Sequence, residues 1–133
     1  MIDSLKNIGI SESEYNELIE QNPYIDNLEP MDIDDMIMLL KTLNCSDEYI
    51  KNIILSDVFY LTRIKMDVQK LLIELHDRGI SNNDLTELIQ GYPYILEKDD
   101  FEITEFFKKK MGEGATQEEI CEMILSNPFI LES

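Results

Sequence analysis

The chain has 133 residues, 28 of them acidic and 11 basic, for a formal charge of −17. Its length fits one domain or a short repeat array, and an apolar share of 44% argues against a disordered chain. So negative a chain repels phosphate backbones at long range, and no apolar stretch approaches the roughly 20 residues that span a bilayer.

In chain order, a short helix is expected at Ile2–Ile8, ahead of a repeat. Four segments then align without a gap: GISESEYNELIEQNPYI from Gly9, NCSDEYIKNIILSDVFYL from Asn44, GISNNDLTELIQGYPYIL from Gly79 and GATQEEICEMILSNPFIL from Gly114, with starts 35 residues apart. Gly9, Asn44, Gly79 and Gly114 fall where a helix stops, and Gly and Asn tolerate the positive φ of a helix C′ position. Two residues on, Ser11, Ser46, Ser81 and Thr116 are hydroxyls suited to cap the next helix. Glu14 and Glu119 complete an S/T-x-x-E capping box in the first and fourth repeats, and Asp84 puts a shorter acid there in the third. Ile10, Cys45, Ile80 and Ala115 precede the caps, and Tyr15, Ile50, Leu85 and Ile120 follow them at the spacing of a hydrophobic staple.

Each capped helix carries an i, i+3, i+4 apolar stripe: Tyr15/Leu18/Ile19, Ile50/Ile53/Ile54, Leu85/Leu88/Ile89 and Ile120/Met123/Ile124. Pro23, Pro93 and Pro128 then end the helix, with Val58 in the second repeat. The pairs Tyr24-Ile25, Phe59-Tyr60, Tyr94-Ile95 and Phe129-Ile130 are expected to tuck a short turn onto the core. A second helix follows, with apolar columns Met31/Met66/Phe101, Ile33/Val68/Ile103, Met36/Leu71/Phe106 and Ile37/Leu72/Phe107. The fourth copy is missing, so the array reads as a lead helix, three helix pairs and a final single helix. The expected fold is all-α: one helical-repeat domain over 1–133, a short α-solenoid with repeats at about 9–43, 44–78, 79–113 and a partial 114–133. The apolar Ile130-Leu131 at its end reads either as a self-association edge or as a frayed end.

The column Gly-x-Ser-x-x-x-hydrophobic-x-x-Leu-Ile-x-x-x-Pro-aromatic-Ile-Leu resembles the repeat of the mitochondrial transcription termination factor (mTERF) family over nearly the whole chain. Tetratricopeptide repeats are of similar length, but they need alanines where helices pack closely, and Ala115 is the only alanine here. The resemblance implies an α-solenoid curved into a half ring that binds nucleic acid in a positively charged groove. The chain departs from that pattern: its second helices carry Asp32, Asp34, Asp35, Asp67, Asp99, Asp100 and Glu102. Its bases are Arg63, Lys65 and Lys70 on one helix and the run Lys108-Lys109-Lys110, whose place at a helix C-terminus also suits the helix dipole.

Catalytic equipment is absent from the pattern. His76, the only histidine, has no nucleophile or carboxylate partner in a motif and reads as a surface or packing residue. Cys45, at a staple position, reads as buried; Cys121, aligned with Asn16, Lys51 and Thr86, reads as exposed. The acidic run from Asp32 fails as an EF-hand, because its sixth and twelfth positions are Ile37 and Leu43. No phosphate loop, dinucleotide fingerprint, zinc motif or nucleophile elbow occurs. The chain therefore reads as a non-enzyme needing no cofactor or metal. Lone cysteines and a start without a leader pattern point to a reducing cytoplasm.

Architecture and charge together point first to a protein-protein interaction module for a basic or amphipathic partner, meeting Asp32, Asp34, Asp35, Asp67, Asp99, Asp100 and Glu102. A nucleic-acid mimic that blocks another protein's binding channel is the second expectation. Direct nucleic-acid binding ranks third, and the pattern leaves the oligomeric state open.

Overall fold

The computed structural model describes residues 1–132. Among these residues the helices are α1 (Asp3–Asn7), α2 (Glu12–Gln21), α3 (Pro30–Lys41), α4 (Asp47–Ser56), α5 (Lys65–Asp77), α6 (Asn82–Gly91), α7 (Asp100–Gly112) and α8 (Gln117–Ser126), with no strand. After each even-numbered first helix up to α8 comes a short 3-10 helix: Pro23–Asn27 after α2, Tyr60–Thr62 after α4, Pro93–Glu97 after α6 and Pro128–Glu132 after α8. The order is the expected lead helix, three pairs and a last single helix. Contacts group the chain into two compact units, Met1–Lys65 and Met66–Ser133, dividing at the start of α5.

The turn that joins a second helix to the next first helix is built the same way each time. Gly9, Asn44, Gly79 and Gly114 have φ of 96°, 64°, 116° and 102°, the left-handed region that glycine and asparagine enter at least cost. Beyond each, the amide of Ile10, Cys45, Ile80 or Ala115 donates back to the carbonyl of Leu5, Leu40, Leu75 or Lys110 at 3.1 to 3.3 Å, the 6→1 bond of a Schellman motif. The same residue is the staple position of the next helix. The hydroxyls of Ser11, Ser46, Ser81 and Thr116 accept from the amides of Glu14, Tyr49, Asp84 and Glu119. Glu14 and Glu119 close the box by accepting from the Ser11 and Thr116 amides at 2.9 Å. Those backbone hydrogen bonds are the main reason both carboxyls are held below the usual carboxylate range. A cap of this kind is worth about 1 kcal/mol.

Unit one buries Leu5, Ile10, Leu18, Ile33, Leu40, Ile50, Ile53 and Ile54, and unit two buries Leu71, Leu75, Leu85, Ile89, Ile103, Phe107, Ile120 and Ile124. The stripes of α4 and α6 are fully buried, whereas Tyr15 and Ile19 of α2 and Met123 of α8 are half-exposed.

Three expectations need correction. In the turn pairs only the second residue tucks in: Ile25, Tyr60 and Ile95 are buried and Ile130 half-buried, while Tyr24, Phe59, Tyr94 and Phe129 stand in solvent. The core-facing residues of these turns begin at the second member of each pair, with Leu61 and Leu96 buried beside Tyr60 and Ile95. In the second helices the column Met31, Met66, Phe101 is exposed, at 71%, 61% and 66%, while the other three columns are buried. Cys121 is buried, not exposed. Its Sγ lies 3.6 Å from the point a Cβ on Gly79 would occupy, and it donates to the Arg78 carbonyl at 3.2 Å. Lys51, in the same column, lays its Cδ at 3.7 Å from the corresponding point on Gly9. Lys51 and Cys121 therefore pack on the glycine turn that opens the repeat before their own, where the missing side chain leaves room. Burial pushes the Cys121 thiol up, away from thiolate chemistry.

In one repeat of each unit the residue that ends the first helix ties its turn to the one after it. In unit one, Asn22 is buried and its Nδ2 donates to the Val58 carbonyl and to Thr62 Oγ1, both at 3.0 Å. In unit two, Tyr92 occupies the same column; its ring meets Phe129 edge-on at 5.0 Å and its hydroxyl donates to Glu132. Asp57, the intervening member, is buried and receives Arg63 through Nε at 3.1 Å and Nη2 at 2.8 Å. The Tyr60 hydroxyl donates to the Met36 carbonyl at 2.5 Å, and burial drives its pKa well above the usual tyrosine value.

Candidate partner-docking faces on the second helices

Helix geometry explains the exposed column. At about 100° per residue, Met31 lies on the side of α3 opposite Ile33, Met36 and Ile37, which are buried. Met38 follows seven residues later on the same side as Met31 and is exposed as well. The same two positions on α5 hold Met66 and Ile73, both exposed. On α7 they hold Phe101 and Lys108. Each second helix thus turns one set of apolar side chains inward and presents another to solvent. The sequence reading missed the outward set. Its signal was present, because Met31 and Ile33 are two residues apart and cannot share one helix face.

The acidic candidates divide between the units. Asp32, Asp34 and Asp35 belong to α3 in unit one; Asp67 on α5 and Asp99, Asp100 and Glu102 at the start of α7 belong to unit two. Asp34 accepts from Ser4 Oγ. Asp35 is 3.5 Å from Lys65 Nζ, and Glu102 is 3.6 Å from Lys98 Nζ. Asp99 is the cap of α7, accepting from the Glu102 amide at 2.8 Å. Asp32, Asp67 and Asp100 sit in first turns, where the helix dipole favours a negative charge. Asp32 and Asp35 also line a cleft of about 220 Å³ with Leu28, Met36, Leu61 and Arg63.

Four of the six candidate bases are tied down locally, Lys70 and Lys109 being the exceptions. Arg63 is spent on Asp57, Lys65 on Asp35, Lys108 on Glu105 at 3.6 Å and Lys110 on Glu113 at 3.7 Å. Arg78 is held by Glu74 at 2.7 Å, its guanidinium stacked 5.1 Å above the Phe107 ring. Glu74 also receives Thr104 Oγ1 at 3.0 Å, and the Arg78 hydrogen bond is the main cause of its lowered pKa. His76 is exposed, its Nδ1 3.1 Å from the Ile80 carbonyl. Among the described residues no His, Cys, Asp and Glu group is arranged to hold a metal ion. No helix among them is long and apolar enough to cross a membrane.

Capped first helix, 3-10 turn and second helix, recurring along the chain, define an α-helical repeat protein. The mTERF family model matches residues 1–133, and the chain belongs to that family. No curated protein matches the chain.

Proposed function

We propose that this chain is a non-enzymatic interaction module for a basic or amphipathic protein partner. One observation carries the reading: the second helices expose apolar side chains at repeating positions beside acidic ones, while most of the bases are drawn into local ion pairs. Apolar side chains supply contact area, and carboxylates select the sign of the partner and speed its approach. Both cysteines are buried thiols, which suits a reducing compartment such as the cytoplasm. Retention of a partner in a pull-down is expected to fall as salt rises, through screening at the rim. A partner retained equally at low and high salt would remove the role given to the acids.

Family membership supports a second reading, direct nucleic-acid binding. Lys70 and Lys109 are the exposed bases it would draw on first, against a net charge of −17. A gel shift at low salt decides between the readings, since the interaction module gives none. If the partner is itself a nucleic-acid-binding protein, competition with DNA for that partner identifies the chain as a nucleic-acid mimic.

A further inference from the structure

The outward faces of α3 and α5 carry the same apolar pair but different flanks. On α3, Asp34 and Asp35 lie on either side of the Met31–Met38 line, about 60° and 40° around the helix axis from Met31. Asp32 lies further round on the Asp35 side, in the cleft that also holds Leu28 and Leu61. On α5 the positions equivalent to Asp34 and Asp35 are Gln69 and Lys70, so the Met66–Ile73 line has no acidic bracket. On α7 the second apolar position is Lys108, so the line is broken.

We infer that the Met31–Met38 face of α3 is the primary docking site, and that its occupant is one amphipathic helix with Lys or Arg on both borders of its apolar stripe. The inference rests on the proposed interaction-module reading and places that function on one helix. Met31 and Met38 are separated by about 10 Å along the axis, the span of a partner's apolar i, i+3, i+7 residues. Methionine is unbranched and polarizable, so it conforms to apolar side chains of varied shape without a preformed pocket. The acids on both borders answer a helix whose bases flank its stripe on both sides. Asp35 already holds Lys65 on one border, and that cation is exchangeable because both side chains are nearly half exposed. Asp32 makes no ion pair among the described residues; it shares the cleft with Arg63 and Lys65, which Asp57 and Asp35 hold, and is the acid left there for a partner's arginine.

The test uses the full chain and a fluorescently labelled peptide of about 14 residues, made of Leu and Lys with leucines at helical spacing. A second peptide replaces every Lys with Glu. Binding of the lysine peptide at low salt and none of the glutamate peptide is expected. Met31→Ser with Met38→Ser changes only exposed side chains and weakens binding about tenfold or more. Met66→Ser with Ile73→Ser, the matched change on α5, weakens it less than about twofold. Asp32→Asn with Asp34→Asn lowers both affinity and its dependence on salt. Equal loss from the α3 and α5 pairs overturns the assignment to α3, as does unchanged binding by the α3 variant, and either result leaves the interaction-module reading standing. If the lysine peptide fails to bind at low salt, both fall. A rise in molar mass of the peptide-free chain, abolished by the α3 pair, would replace the amphipathic partner with a second copy.

Discussion

The same structural position is solved by two chemistries in the two units. Asn22 and Tyr92 each end a first helix, each is buried, and each reaches a side chain 40 residues on, Thr62 or Glu132. Asn22 does so as a polar group whose amide is satisfied by a carbonyl and a hydroxyl. Tyr92 does so mainly as a ring, edge-on to Tyr94 at 6.0 Å and to Phe129 at 5.0 Å, with its hydroxyl at the margin. In these two repeats the side chain links consecutive turns, once through directional hydrogen bonds and once through aromatic area. The consequence is unequal sensitivity. A polar tie costs what its stranded partners cost, and an aromatic tie costs its buried volume.

The comparison is sharpest at its largest expected effect. Tyr92→Ala removes a fully buried ring and should destabilise unit two by about 3–5 kcal/mol, read from the denaturant midpoint. A loss under about 1 kcal/mol would mean that the ring is not the tie. Arg63→Ala strands the buried Asp57 carboxylate and should cost unit one about 3 kcal/mol, partly offset because the Phe59 amide still reaches Asp57 at 3.3 Å. Asn22→Ala leaves the Val58 carbonyl without its side-chain donor and should cost about 1–3 kcal/mol. Tyr92→Phe keeps the ring and gives up only a hydrogen bond at a partly exposed glutamate, so about 1 kcal/mol or less is expected. If Tyr92→Phe matched Tyr92→Ala, unit two would be tied by its hydroxyl after all, and the contrast would vanish.

The smallest effect is a pH dependence. Glu14 and Glu119 have folded pKa values lowered chiefly by the Ser11 and Thr116 amides. A lowered folded pKa contributes stability that is present above the ordinary glutamate value and lost as pH falls through the folded one. Glu14→Gln and Glu119→Gln should each flatten the acid limb of the stability curve. Glu14→Gln should flatten it more, because Glu14 also pairs with Lys51 at 3.3 Å. Equal slopes would show that Lys51 adds nothing.

What could be read from the sequence was local. The positive-φ turns, hydroxyl caps, both capping boxes and the buried columns of the second helices depend on residues a few positions apart. Even so, the outward phase of Met31 was lost, because aligning columns across repeats hides the angle between columns within one helix. Two features lay beyond local pattern. Asn22 and Tyr92 look like unremarkable residues before a proline until the turn 40 residues on is in place. Cys121 inherited exposure from its alignment with Asn16, Lys51 and Thr86, although its surroundings are set by the Gly79 turn. Asp32, Asp67, Asp100 and Glu102 lie in first turns and Asp99 caps one, but Asp34 and Asp35 lie further along α3, and their flanking relation to Met31 and Met38 appears only with the helix geometry.

Ile10, Cys45 and Ile80 each close one helix and open the next, since the residue that donates the 6→1 bond also stands directly before the cap. There is no spare residue in that joint. One inserted amino acid would separate the two duties and spoil both helix ends, whereas the solvent-facing ends of 3-10 helices such as that at Asn27 have slack to take it. Anyone splicing repeats in or out should cut at those 3-10 ends and leave the glycine joints whole, treating them as hinges already welded shut.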